Sequence, residues 1–256
     1  MKVVLIGAGN VGTQMGIRLR EVGADIQQVF SRKHQRAKEL GTQLHCPWTN
    51  QLAEITTEAQ LYILAIKDDA SIEVAEQLSN ILAAFNPLVV HTSGATPGQQ
   101  LRPFFKRYGV FYPLQTISQS RKADFSQIPI CYHANRKGDR QKLDKLAQKL
   151  SSLVYQVDDA QRAALHVAAV FVKNFTNHLY HIGQQIVEQE QLPFELLKPL
   201  ILETALKIQQ HQPADMQTGP AVRADQKTIQ RHLNFLEKYP SYQEIYRILT
   251  KRILGK

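Results

Sequence analysis

The stretch Val4-Leu5-Ile6-Gly7-Ala8-Gly9-Asn10-Val11-Gly12 places three glycines in the spacing G-x-G-x-x-G, just after an apolar run and just before a helical pattern. Binding of a pyrophosphate asks for that spacing. Gly7 permits a tight turn, Gly9 lets the backbone approach the phosphates, and Gly12 lets the helix pack closely on the strand. The first N–H groups of that helix, around Asn10 and Val11, then face the anion. About twenty residues further on, where an NAD-binding chain places a carboxylate for the ribose hydroxyls, the sequence reads Ser31-Arg32-Lys33, with Arg36 close behind. A carboxylate there would repel a 2′-phosphate, whereas a hydroxyl and three cations attract one, and a guanidinium can also lie against an adenine face. NADP is the expected cofactor. The alternative, a solvated helix start, sits badly with the helix dipole, which disfavours cations in a first turn.

Further along, Ala65, Ile66 and Lys67 end an apolar strand pattern and are expected to line the cofactor crevice, with Asp68 or Asp69 capping the next helix. The segment His91–Gly98 closes another strand, and Pro97 is expected near the first position of a helix. Thr92, Ser93 and the Gly94 backbone are therefore candidates to hold a substrate carboxylate beside the nicotinamide; an ordinary turn with His91 hydrogen-bonded in place is the alternative. In AALHVAAVFV, residues 163–172, the apolar residues run nearly all round a helix, which implies burial on most sides. His166 interrupts that run. His166, Lys173 and Asn177, spaced 7 and 4, share a face at 3.6 residues per turn, with Asn174 beside them. Such a group can give a proton to a carbonyl or imine as hydride arrives, although a satisfied core or dimer-interface cluster has the same pattern. Finally, Arg223 is expected in the first turns of a helix opened by Gly219-Pro220, where a cation is disfavoured, so it should answer to a substrate carboxylate, a cofactor phosphate or Asp225.

The elements that must position these groups follow from periodicity. KVVLIG, DIQQVF, LYILAIK, PLVVHTS, GVFYPL, PICYH and LVYQV read as strands, with helical segments near 10–22, 70–85, 97–107 and 138–151 between them. Beyond residue 158 the strand signal stops. One long helix over 159–191 is expected, another from Pro193 to about His211, and two more near 220–238 and 241–254. The expected fold class is α/β: a Rossmann-type, mostly parallel sheet in a dinucleotide-binding domain, residues 1–157, followed by an all-α domain, residues 158–256, for substrate binding and dimerisation. A helix apolar on every side has more surface to bury than one neighbour covers, so a homodimer is expected.

Composition narrows the classes. With 256 residues the chain can build two moderate cores. No run approaches the roughly 18 apolar residues of a membrane span, so no membrane partner is expected. The opening MKVVLIGAGN runs into glycines too soon to serve as a signal sequence, and Cys46 and Cys131 form neither a disulfide framework nor a metal pattern. A reducing cytoplasm and no metal are the expectation. The net charge of +9 raises nucleic-acid binding, but residues 1–157 hold 19 Lys/Arg against 12 Asp/Glu, so the excess lies with the glycine fingerprint. No nucleic-acid motif accompanies it.

Taken together, GAGNVG, HTSG, LHVAAVFVKNFTNHLY and QTGPAVRADQKTIQRHL resemble, over nearly the whole chain, a bacterial family of Rossmann-like proteins labelled NADP oxidoreductases of the deazaflavin-coenzyme-dependent type. The first half is also similar to pyrroline-5-carboxylate reductase. The second resembles the helical domain of 6-phosphogluconate and β-hydroxyacid dehydrogenases, whose serine loop would fall on Thr92-Ser93-Gly94 and whose Lys-x-x-x-Asn helix is echoed by Lys173 and Asn177. The glycine-rich approach to that lysine is missing here. The resemblance implies an oxidoreductase moving hydride between NADP and a small keto, hydroxy or imino acid; a non-catalytic NADP(H) sensor is the competing reading.

Overall fold

A computed structural model of the chain describes residues 1–118 and 123–255. Their contacts divide into two compact units, Met1–Ala169 and Val170–Lys256.

The first unit is an eight-stranded sheet. Its strands are β1 (Lys2–Ile6), β2 (Asp25–Phe30), β3 (Trp48–Thr49), β4 (Leu61–Leu64), β5 (Leu88–His91), β6 (Tyr108–Pro113), β7 (Ile130–Ala134) and β8 (Val154–Gln156), in the order β3-β2-β1-β4-β5-β6-β7-β8. All pairings are parallel except that of β6 with β7. The seven strand runs of the sequence are all present. The eighth strand, β3, has only two residues, too few for any periodic signal. Helices α1 (Asn10–Glu21), α2 (His34–Gln43), α3 (Ser71–Leu82), α4 (Lys137–Leu150) and α5 (Asp159–Ala169) complete the unit.

Strand residues alternate between two cores, as a two-residue repeat requires. Val3 and Leu5 pack with Met15 and Leu19 of α1 and Leu143 of α4. Val4 and Ile6 pack with Val74, Leu78 and Leu82 of α3. Burial on both faces is why the central strands read as unbroken apolar runs. The helix expected over 97–107 is instead one 3₁₀ turn, Gly98–Leu101; Pro103, which has no N–H to give, stops it from continuing.

Within the sheet the start of β6 is clamped to α4. Arg107 donates to both carboxylate oxygens of Asp139, at 2.9 and 2.5 Å, and to the Asn86 carbonyl at 3.0 Å. The Arg107 hydrogen bond holds the Asp139 carboxyl below the usual range. This stabilisation is therefore present above the ordinary aspartate pKa and is lost as pH falls through the depressed native one. Asp139→Asn should cost roughly 2–4 kcal/mol, since it strands a mostly buried guanidinium. Urea unfolding checks this: the gap between the two proteins should close in acid.

The second unit is all helical: α6 (Thr176–Gln189), α7 (Lys198–Gln210), α8 (Gln226–Phe235) and α9 (Pro240–Ile253). It opens with a π-helical segment, Val170–Phe175. The long helix expected over 159–191 is thus α5, a π segment and α6 in succession. The Thr176 hydroxyl donates to the Phe171 carbonyl at 3.2 Å, five residues back, the span of a π turn. The helix expected from Gly219-Pro220 begins only at Gln226. Ala224 is left-handed (φ 51) and Asp225 caps the helix by accepting from Thr228 N–H at 3.1 Å, so Arg223 lies in the turn before it. Nor is the apolar run 163–172 buried within the chain: Phe171 is 62% and Val172 75% exposed.

Candidate functional site

The strand order β3-β2-β1-β4-β5-β6 reverses direction between β1 and β4, and open α/β sheets bind ligands where their strands' carboxyl ends flank such a switch point. The hydrogen bonds there run in a line. Ser31 N–H reaches Thr49 O, Gly7 N–H reaches Phe30 O, Ala65 N–H reaches Ile6 O, and Thr92 N–H reaches Leu64 O. Ser31, Gly7, Ala65 and Thr92 therefore sit on successive strand ends, spanning three strand spacings, or about 14 Å.

A cavity of about 820 Å³ opens along this line. Gly7, Gly9, Asn10, Val11, Ser31, Arg32, Lys33, Ala65, Ile66, Lys67, Thr92 and Ser93 all line it, and Arg36 and Asp68 join them. Gly12 lies just behind: a Cβ there would stand 1.9 Å from the Gly7 carbonyl oxygen, and one on Gly7 (φ 118) would stand 2.3 Å from that of Ala65. Neither position admits a side chain. At Gly9 nothing lies within 4 Å of a would-be Cβ, so its backbone faces open space. Helix α1 has no side-chain cap and no acid in its first turn, leaving its first amides for an anion. Helix α2 repeats the arrangement, with Lys33 at its cap and again no acid in the first turn.

Arg32, Lys33, Arg36 and Lys67 all line the cavity, and none forms an ion pair among the described residues. Asp68 is the single carboxylate of the described lining; contrary to the expected cap, neither it nor Asp69 caps the next helix by its side chain, and Asp68 instead accepts the Ser93 hydroxyl at 2.8 Å. Ser93 Oγ in turn accepts from Ala95 and Thr96 N–H, at 3.2 and 2.9 Å. The hydroxyl's donor and two lone pairs are thereby all used, so a substrate carboxylate could engage it only by displacing one of these partners.

Behind this loop, Gly94 is buried, and a Cβ on it would meet His166 Nδ1 at 2.6 Å and Tyr112 Oη at 2.9 Å. Only glycine lets the imidazole and the phenol approach here. Their ring centroids stand 6.5 Å apart, edge to face. Burial pushes the Tyr112 phenol up, keeping it protonated. Helix α5, which carries His166, is tied to the same loop: Arg162, 1% exposed, donates to Asp159 at 2.8 Å and to the Thr96 carbonyl at 2.5 Å, and Asp159 accepts from Gly98 N–H at 3.0 Å. His91 Nδ1 accepts from Ser93 N–H at 3.2 Å, and burial, aided by the Arg162 charge, pushes this imidazole down to about 4.

Lys173, Asn174, Asn177 and Arg223 belong to the helical unit and are exposed, with no side-chain hydrogen bond among the described residues. The 3.6-residue spacing that grouped Lys173 and Asn177 with His166 does not hold through Val170–Phe175, where the helix is π. Tyr112, the Asp68–Ser93 hydrogen bond and the Asp159–Arg162 brace were missed. Tyr112 lies inside an ordinary strand pattern, and only Asp159-x-x-Arg162, an i,i+3 pair of opposite charges, left a readable trace. No cluster of three or more His, Cys, Asp or Glu able to hold a metal occurs among the described residues. No helix among them is long and apolar enough to cross a membrane.

Family models match the chain in two stretches, the second of which spans parts of both compact units. Residues 1–115 match a Rossmann-like domain, and residues 128–253 match a domain of unknown function, DUF2520. The protein BF3122 from Bacteroides fragilis, described as a "putative NADP oxidoreductase", is 39% identical over 100% of this chain and 98% of its own, with a TM-score of 0.90. The chain belongs to the family of that protein. Protein TM1727 from Thermotoga maritima (20% identity; 99% and 100% covered; TM-score 0.79) shares the fold of this family member. So does an imine reductase from Myxococcus stipitatus in complex with NADP+ (16% identity; 100% and 92% covered; TM-score 0.67). No curated protein matches.

Proposed function

We propose that this chain is an oxidoreductase that uses NADP(H) and acts on a small keto, hydroxy or imino acid. The observation that carries the reading is the cavity on the switch point, where a glycine turn and an uncapped helix start share one lining with four cations that have no carboxylate partner. A pyrophosphate alone needs fewer charges; Arg32, Lys33 and Arg36 at the β2 end suit the additional 2′-phosphate of NADP. The names of the Bacteroides protein and of the Myxococcus reductase point the same way.

When bound, the nicotinamide dinucleotide supplies or accepts hydride. The chain's own residues do the rest. Gly7, Gly9, Asn10, Val11 and Gly12 hold the pyrophosphate, Ser31, Arg32 and Lys33 the adenosine phosphate, and Ala65, Ile66 and Lys67 the nicotinamide side. Thr92, Ser93 and Gly94 are proposed to bind the substrate acid and His166 to transfer the proton, while Arg223, Lys173, Asn174 and Asn177, on the helical unit, were grouped with them by sequence alone. In this scheme residues 1–157 bind the dinucleotide and residues 158–256 serve substrate binding and dimerisation.

The saturated Ser93 hydroxyl favours a second reading, a sensor that binds NADP(H) without turnover. NADPH oxidation against a panel of keto acids, imino acids and a deazaflavin coenzyme separates the two: turnover of any member supports the oxidoreductase, while tight binding with none supports the sensor.

A second copy of the chain is the proposed cover for the apolar residues left open on the helical unit, among them Phe171, Val172, Phe175, Leu200 and Leu202. Light scattering at micromolar concentration should return twice the 29.1 kDa chain mass. A mass of one chain would contradict the dimer.

A further inference from the structure

One carboxylate, Asp68, stands in a cavity whose other charges, Arg32, Lys33, Arg36 and Lys67, are cations. The charges are separated along the line of strand ends. Arg32, Lys33 and Arg36 follow β2, whereas Asp68 follows β4 and is hydrogen-bonded to Ser93, just past β5. Lys67 is next to Asp68 in sequence, yet no ion pair joins Asp68 to any described residue. The carboxylate is also held in place. Ser93 Oγ accepts from Ala95 and Thr96 N–H, so its one proton goes to Asp68 Oδ2, at 2.8 Å. The Asp68 carbonyl accepts the Ser71 hydroxyl at 2.7 Å, which fixes the backbone of the 3₁₀ turn Asp68–Ala70. Asp68 Oδ1 accepts no hydrogen bond from the described residues.

We infer that Asp68, held by Ser93, selects a positively charged nitrogen as the substrate group bound at the β5 end of the cavity: a protonated imine, or the ammonium of the corresponding amine. An ionised carboxylate only accepts hydrogen bonds. It binds N–H⁺ through a charge-assisted bond and repels a substrate carboxylate placed in the same position. Ser93 does not offset that repulsion, because its proton already goes to Asp68.

Of the acids in the proposed function only the imino acid carries such a nitrogen. The imine assignment therefore narrows the oxidoreductase reading and rests on it, whereas the cation subsite does not. In the reaction the imine nitrogen gains a proton, in the scheme above from His166, and the imine carbon gains hydride from NADPH. The C=N π pair becomes the lone pair of the amine, and NADP⁺ is left. Asp68 takes no proton; it is a specificity residue that favours the charged nitrogen before hydride arrives.

The experiment titrates three six-membered-ring compounds into the protein in excess NADPH by calorimetry: piperidine, protonated at neutral pH, uncharged tetrahydropyran, and cyclohexanecarboxylate. NADPH oxidation with the cyclic imine 1-piperideine and with a keto acid of similar size is followed in parallel. Piperidinium should bind at least about tenfold more tightly than either other ring, and Asp68→Asn should remove that preference. Asparagine keeps a carbonyl oxygen for the Ser93 hydroxyl, so the variant loses the charge and not the hydrogen bond. The imine should also exceed the keto acid in kcat/KM by at least about tenfold. Cation-selective binding that depends on Asp68, with no turnover of either compound, would support the subsite and remove the oxidoreductase reading. Preferred turnover of the keto acid would leave that reading standing and overturn the inference. So would the absence of a cation preference in the unmodified protein, or its survival in Asp68→Asn. A variant that loses affinity for NADP⁺ alone, with piperidinium binding unchanged, would assign Asp68 to the charged nicotinamide ring and overturn it too.

Discussion

Arg32→Asp should weaken NADPH binding about a hundredfold or more and leave NADH affinity within a few-fold. Charge-assisted hydrogen bonds contribute roughly 1.5–3 kcal/mol each, and every 1.4 kcal/mol is about tenfold in affinity. Losing the guanidinium alone accounts for most of that factor, and a carboxylate in its place adds repulsion toward a 2′-phosphate that NADH lacks. Because Arg32 forms no ion pair among the described residues, its replacement strands no partner there, so stability should barely change. Titration of cofactor fluorescence checks this. A parallel loss for both cofactors would place Arg32 away from the 2′-phosphate.

The second large effect belongs to His166. If its imidazole gives the proton, His166→Ala should lower turnover by about 10²–10⁴, the usual worth of a positioned general acid, while the NADPH dissociation constant stays within about twofold. The two readouts part because His166 does not line the cofactor cavity; it stands behind Gly94 with Tyr112. Unchanged turnover in a folded His166→Ala protein would remove the histidine from the chemistry.

How far the site could be read from sequence depended on whether its signals were local. Gly7, Gly9 and Gly12 are contiguous with the strand and helix they join, and Ser31-Arg32-Lys33 marks its own oddity by placing cations at a helix start. The alternation of apolar strands with helices gave the α/β class for the same reason. Tyr112 was hidden because a strand residue's role is set by what the neighbouring strand and helix bring to it, here Gly94 and His166, 18 and 54 positions away in sequence. The π segment was hidden as well: VFVKNF carries no residue type that forbids an α-helix, so the spacing from His166 to Asn177 was read at 3.6 residues per turn. Burial of the 163–172 helix was inferred from its apolar pattern, which reports that a surface needs cover and not whether this chain or another copy supplies it.

Calorimetric titration of the unmodified protein with NADPH and with NADH, at low and at moderate salt, tests the central claim most directly. The account requires one site per chain, NADPH bound at least about tenfold more tightly than NADH, and a preference that narrows as salt screens Arg32, Lys33 and Arg36. Equal affinities, or binding of neither cofactor, would contradict it.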